Sequence, residues 1–225
     1  VSLPVLPFVP EAVIFDMDGL LLDSERVIIA CLAQAAGEQG HELPHALWLD
    51  MVGNSEANRD AALDDAIGAE QRKRVLARAR GLYAAAIDNG IPHRPGVINL
   101  IDLLRAHDIP RAVATSTQRA MALRKLQTAG LLRHFDAVCS SSDVAHAKPA
   151  PDVYLLAAAS LGVAPARCLA LEDSPTGVRA ALAAGMHVLQ VPDLIAAGGA
   201  MRASRHVIIG SLDDARRMLE LRLLA

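Results

Sequence analysis

Ala12-Val13-Ile14-Phe15-Asp16-Met17-Asp18-Gly19 is the stretch that decides how this chain folds. Its four apolar residues stop abruptly at two aspartates and a glycine. A strand covered on both faces is apolar along its length, so its polar residues collect at the carboxyl end. Working outward, the next block, Ser24 to about Asp88, changes to helical periods rich in alanine and arginine. It is broken at Gly37 to Pro44, at Gly53-Asn54 and near Gly68, with Ser24, Asn54 and Ser55 as candidate helix starts. Four or five helices and no strand are expected there.

Beyond the loop from Asn89 to Gly96, strands and helices alternate. Strands are predicted at Arg111 to Thr115, Asp136 to Cys139, Cys168 to Leu171, His187 to Val191 and His206 to Ile209. Helices are predicted at Val97 to His107, Arg119 to Thr128, Pro151 to Leu161, Pro175 to Ala184 and Asp213 to Leu223. This order implies an α/β fold, a doubly wound and mostly parallel Rossmann-like sheet with helices on both faces. Residues 1–21 and 93–225 are expected to form that unit and residues 22–92 an inserted helical unit. The two connecting segments, near Leu21 to Ser24 and Asn89 to Gly96, form a two-stranded linker able to act as a hinge.

Composition narrows the function. The 225 residues are 52% hydrophobic with a net charge of -3, enough apolar content for a full core. Only 3% are aromatic, which argues against nucleic-acid binding by a basic, stacking surface. Three prolines in VSLPVLPFVP speak against a signal peptide, and no apolar run reaches the ~20 residues of a spanning helix. Cys31, Cys139 and Cys168, odd in number and set in apolar segments, read as reduced core thiols. A cytoplasmic chain, a monomer or weak dimer without membrane partners, is expected. Lysine is scarce: of the 22 cationic residues only Lys73, Lys125 and Lys148 are lysines.

Ligands of an open parallel sheet bind outside the carboxyl ends of its strands. Four polar clusters fall at such positions: Asp16 and Asp18; Thr115-Ser116-Thr117; His146-Ala147-Lys148-Pro149; and Glu172-Asp173-Ser174. Carboxylates facing one another at 4 Å repel by ~4 kcal/mol per pair at an effective dielectric of 20, so a cation is expected among them. Mg2+ suits such oxygen donors. The hydroxyl of Thr115 with helix-opening amides, and the compact charge of Lys148, suit a phosphate.

In order and spacing, DMDGLLLDSE (Asp16 to Glu25), VATS (Val113 to Ser116), AKPAPDVY (Ala147 to Tyr154) and LALEDSPTG (Leu169 to Gly177) resemble the four motifs of the haloacid dehalogenase superfamily. The chain is most similar to its branch of beta-phosphoglucomutases and small sugar-phosphate phosphatases with a helical cap. The resemblance implies that Asp16 is a nucleophile forming an aspartyl phosphate, and that Asp18 is the acid and base, its backbone carbonyl binding Mg2+. It implies that Thr115 and the Ser116 amide cradle the phosphoryl group and that Lys148 neutralises both phosphate and Asp16. Asp173, helped by Glu172, would complete the metal site. Specificity would lie with Ser24, Glu25, Arg26, Gly53, Asn54 and Glu56.

Plainer readings exist for each residue alone. Asp16 and Asp18 could be turn formers before Gly19, Asp173-Ser174-Pro175 a helix cap, Thr115 a strand-end hydroxyl and Lys148 a loop charge; together, at four successive strand ends, they favour chemistry. Arg119 reads as a surface residue, and Lys73 and Lys125, beside arginines in helical patterns, as solvated charges. His41-Glu42-Leu43-Pro44-His45 spells the H-E-x-x-H zinc pattern, but Pro44 would break the required turn and is expected to open the next helix instead. A phosphatase of small phosphorylated metabolites, sugar or polyol phosphates first, is the expectation. The alternatives are a beta-phosphoglucomutase-type mutase and a nucleoside monophosphatase, as for pseudouridine 5'-phosphate. Against the mutase, its cap histidine and arginine fall by register on Ile28 and Glu56, although Arg59 or Arg26 could substitute.

Overall fold

The computed structural model describes residues 4–51, 56–194 and 205–224, except the side chains of 50, 56 and 57. Strand β1 (Ala12–Phe15) is followed by helices α1 (Ser24–Gly37), α2 (His45–Met51), α3 (Glu56–Ile67) and α4 (Ala69–Asp88). The remaining chain alternates: α5 (Val97–Ala106), β2 (Arg111–Ala114), α6 (Arg119–Thr128), β3 (Ala137–Cys139), α7 (Asp152–Ser160), β4 (Cys168–Glu172), α8 (Pro175–Ala183), β5 (His187–Gln190), β6 (His206–Ile208) and α9 (Leu212–Leu223). The six strands form one sheet in the order β3-β2-β1-β4-β5-β6, and every pairing is parallel. The predicted α/β class holds, with element ends displaced by a residue or two, where helices and strands fray.

Alternation of side chains along the strands sorts the core into two layers. Val13, Phe15, Val113, Leu169 and Leu171 pack toward α5, α6 and α9. The other face is built of smaller residues, Ala12, Ala112, Ala114 and Ala170 with Ile14, and packs on α7 and α8. Helices α1 to α4 have an apolar cluster of their own, including Ile29, Trp48, Leu63 and Val75. The segments that join these helices to the sheet are hydrogen-bonded to each other, Asp23 N to Pro92 O at 2.8 Å and Arg94 N to Leu21 O at 2.9 Å.

The H-E-x-x-H segment cannot offer two histidines on one helical turn. Helix α2 begins only at His45, the Leu47 amide bonds to the Pro44 carbonyl, and His41 and Glu42 precede the helix. Lys73, as expected, is a surface charge, 69% exposed.

Candidate active site

Register brings the polar strand ends together. Phe15 lies opposite both Val113 and Leu171, so Asp16, Ala114 and Glu172 reach the carboxyl edge level with one another. Thr115 and Asp173 follow one residue later. Neighbours β1 and β4 are where the chain reverses its direction of travel across the sheet, the position at which open α/β sheets bind ligands.

Lys148 stands at the centre. Its ammonium, with the side chain 4% exposed, donates to Asp16 Oδ1 at 2.5 Å and Glu172 Oε1 at 2.7 Å, and lies 4.8 Å from the centre of the Tyr154 ring. Tyr154, presented by α7, donates its hydroxyl to the same Glu172 oxygen at 2.8 Å. The other oxygen, Oε2, accepts from the Ser174 amide and hydroxyl at 3.0 and 3.1 Å. Glu172 therefore spends both oxygens on protein donors. Burial would lower the pKa of Lys148, but Asp16 and Glu172 outweigh it and raise it.

Asp16, Glu172 and Asp173 are all buried, and each places an oxygen within 4.8 Å of the others. Burial, opposed by Lys148 and reinforced by Glu172, pushes the Asp16 carboxyl up to about 7. Burial followed by the charges of Asp16 and Glu172 drives Asp173 well above the usual carboxylate range. One ammonium does not balance three buried carboxylates, so the donor set fits a hard divalent cation. Gly19 is part of this fit: its φ is +82°, and a Cβ there would collide with the Asp173 carboxylate.

Asp18 faces away from this cluster. Its Oδ1 accepts from Lys125 at 2.8 Å and its Oδ2 from the Thr117 hydroxyl at 2.7 Å. Burial would raise its pKa, yet Lys125 and Thr117 prevail and lower it. Thr115 is buried beside it, its hydroxyl accepting from the Thr117 amide at 3.0 Å.

The carboxylates at the tips of β1 and β4 gather around the buried ammonium of Lys148, and Asp18 and Thr115, joined through Thr117, lie at the same edge of the sheet. The chain belongs to the haloacid dehalogenase-like hydrolases. The match to that family runs over residues 10–185. The chain is 36% identical over 190 residues to hexitol phosphatase B of Escherichia coli, covering 80% of this chain and 83% of the relative. With the fructose-1-phosphate phosphatase YqaB of the same organism it shares 32% over 182 residues, 79% of this chain and 94% of the relative. Among solved structures, a family hydrolase from Deinococcus radiodurans with bound phosphate and sodium superposes with a TM-score of 0.80 at 28% identity, covering 97% of each chain. The resemblance read from the four motifs is thereby established at the level of family and fold.

A cavity of about 440 Å³ opens from Asp18 toward α1 to α4. Ser24 and Glu25 line it, and so do Ile28, Trp48 and Tyr83. Of the expected specificity residues, Arg26 is turned elsewhere: its guanidinium holds Asp23 at 2.8 Å and Asp193 at 2.7 Å. Gly53 and Asn54 lie outside the described residues, as does the side chain of Glu56. Arg119 pairs with Asp143 at 3.0 Å, half exposed, as expected of a surface residue.

Lys125 is the correction. Its place beside Arg124 suggested a solvated charge, but the side chain is 6% exposed and paired with Asp18. Trp48 and Tyr83 were likewise unmarked, because an aromatic residue at helical spacing reads as core. The usable signal for Lys125 was compositional, a lysine in a chain that otherwise chooses arginine.

Proposed function

We propose that this hydrolase is a Mg2+-dependent phosphatase of a small phosphorylated metabolite, a sugar or polyol phosphate first, acting through an aspartyl phosphate on Asp16. The observation that carries this reading is the arrangement of Asp16: a buried carboxylate in contact with a buried ammonium, with Asp173 beside it and Asp18 two residues away on the other side. Phosphoryl transfer asks the protein mainly for positioning and charge stabilisation, and this arrangement supplies both.

Asp16 attacks phosphorus, the phosphorus–oxygen ester bond breaks, and the leaving alcohol takes a proton from Asp18. Asp18 then accepts a proton from water as that water attacks the aspartyl phosphate, releasing inorganic phosphate and restoring Asp16. Lys148 neutralises the phosphate and Asp16 together, and Thr115 with the Ser116 amide holds phosphate oxygens. Asp16, Asp173 and the Asp18 carbonyl would hold Mg2+, which adds charge neutralisation at the phosphate. Glu172, with both oxygens taken, orients Lys148.

Residues 22–92 serve as a cap over residues 1–21 and 93–225, and closure of the cap excludes bulk water. The hydrogen-bonded pair of linker segments and the apolar cluster shared by α1 to α4 support that division, while Ile87 and Ile91 at the end of the helical unit pack in the core of the sheet. Hexitol and fructose 1-phosphate phosphatases among the relatives support the substrate class. Hydrolysis is favoured over mutase chemistry by Ile28, which lines the cavity where a mutase has its cap histidine, and by Arg26, which is committed to two aspartates. Arg59, the other arginine able to meet a distal phosphate, does line the cavity, and the mutase assay below decides between the two reactions. Among the described residues no helix is long and apolar enough to cross a membrane, and Cys31, Cys139 and Cys168 are free thiols, in keeping with a cytoplasmic enzyme.

The test is hydrolysis of an aryl phosphate and of a panel of phosphorylated metabolites with Mg2+. Activity should vanish in chelator and in Asp16→Asn. Turnover that persists in Asp16→Asn would overturn the covalent route, and conversion of beta-glucose 1-phosphate to glucose 6-phosphate without free phosphate would make the protein a mutase.

A further inference from the structure

We infer that Lys125 is a positioning residue for Asp18, which it reaches from α6, and that it sets the orientation in which Asp18 exchanges protons. The inference rests on the acid–base role given to Asp18 above. Placing an ammonium out of water costs several kcal/mol unless a partner recovers it, so a buried lysine implies a specific partner. Here the partners are Asp18 at 2.8 Å and Tyr83, whose ring centre lies 5.2 Å from the ammonium.

The consequence for Asp18 is geometric. An aspartate carboxylate turns about two single bonds, the first among three staggered positions and the second over a broad, roughly twofold range. In this protein Lys125 holds Oδ1 and Thr117 holds Oδ2, so the plane of the carboxylate is fixed at both ends. Thr117 is itself tied to Thr115 through its amide, which links the orientation of Asp18 to the neighbouring strand end. Tyr83 belongs to α4, so the helical unit covers the ammonium from the cavity side. Misplacing a reacting group by about 1 Å costs on the order of 10²-fold in rate, and that is the scale on which losing Lys125 should act.

Lys125 does not reach Asp16 or the ammonium of Lys148 in the described contacts; its effect has to pass through Asp18. That yields a sharp experiment. Lys125→Met, Lys125→Arg, Asp18→Asn and the Lys125→Met/Asp18→Asn double variant are compared for kcat and KM on an alkyl phosphate that the wild type hydrolyses. Lys125→Met should lose roughly ten- to a hundredfold in kcat, part of the 10²–10⁴-fold that an acid–base group supplies, with KM changed by less than about twofold. Lys125→Arg, which keeps the charge but not the compact shape, should recover part of the loss. In the Asp18→Asn background, Lys125→Met should cost nothing further.

An unchanged kcat in Lys125→Met, or a loss carried by KM, would overturn the inference. So would an equal loss in both backgrounds, the mark of a general structural role. Should Lys125→Met alone not fold, Lys125→Gln provides the single variant: its shorter, neutral amide cannot replace the ammonium, so kcat should fall in the same direction, and an unchanged kcat would overturn the inference. The reading beneath fails separately: an Asp18→Asn variant with full activity refutes the acid–base role, whereas an impaired Asp18→Asn with a normal Lys125→Met refutes only the inference about Lys125.

Discussion

The carboxylate of Glu172 occupies the space in which a side chain on Gly177 would stand. Gly177 lies in the first turn of α8, whose start is fixed by the Ser174 hydroxyl accepting from the Gly177 amide at 3.1 Å. Glu172 cannot swing aside, being fully buried and bonded to Lys148, Tyr154 and Ser174. Gly177→Ala should therefore destabilise the protein by about 1–3 kcal/mol, as overpacking does. Activity should fall as well, because Lys148 loses an anchor. Denaturant melts and kcat check both, and a variant of wild-type stability would show that Glu172 is not locked.

Without a cation, stability should depend on pH in a definite direction. Asp16 is raised from 3.8 to about 7, Glu25 from 4.5 to about 7, and Asp173 is raised well above the usual carboxylate range. A carboxyl whose folded pKa lies above its unfolded value favours the fold while protonated. That contribution is complete below about pH 4 and is lost as pH rises through about 7. In chelator, the melting temperature should fall between pH 5 and pH 8. Asp18, lowered by Lys125 despite burial, acts oppositely but below that window. Adding Mg2+ at about a hundred times its Kd contributes ~2.7 kcal/mol, so melting should rise by roughly 5–10 °C at pH 8. The increase should be smaller at pH 5, where protons compete. Equal increases at both pH values would place the cation elsewhere.

A second ion-pair group joins the helical unit to the sheet. Asp193, in the loop after β5 with its side chain 1% exposed, accepts from Arg26 of α1 at 2.7 Å and forms an ion pair with Arg94 of the return segment at 2.9 Å. The next residue, Leu194, packs on the apolar cluster of α1 to α4. Arg26 is 44% exposed, so solvent screens its share. Asp193→Ala should cost about 1–2 kcal/mol, between the surface and buried limits. Its clearer sign would be faster limited proteolysis near residues 21–24 and 92–96. Unchanged cleavage would mean that the pairs do not restrain the linker.

How far the sequence foretold this depends on where each signal sits. Strand ends were legible at Asp16, Thr115 and Glu172, because a strand buried on both faces must shed its polar residues at its tip. Parallel pairing then brings the tips together without further information. The two linker segments were legible from the change of period at Ser24 and the proline-glycine run ending at Gly96. Lys125 was not legible as an ion-pair partner. Its neighbours Arg124 and Gln127 mark α6 as a solvated surface helix, and Asp18 lies 107 residues away in sequence. Asp18 from the loop after β1 and Tyr83 from α4 close over the ammonium, contacts that nothing local in α6 announces. Arg26 failed for the opposite reason: its position invited a cavity role, but Asp193, brought in from beyond β5, took its charge.

The last prediction concerns the choice of lysine at 148. Its ammonium fits between Asp16, Glu172 and the Tyr154 ring, 4.8 Å from the ring centre, in a space closed to solvent. Arginine carries a broad planar fork whose donors diverge, whereas lysine offers one compact charge with three rotatable donors. In Lys148→Arg the guanidinium must either push Glu172 toward Gly177, where there is no room, or turn away from Asp16. Charge is kept in both cases, so stability should suffer modestly while kcat falls by on the order of 10²-fold or more through misplacement. Lys148→Met should be worse for stability, leaving Asp16 and Glu172 buried without their cation at about 3–5 kcal/mol. Lys73→Arg, on the open surface of α4, should change neither quantity. Comparing kcat and denaturant midpoints across the three variants separates shape from charge, and a fully active Lys148→Arg would show that charge alone suffices.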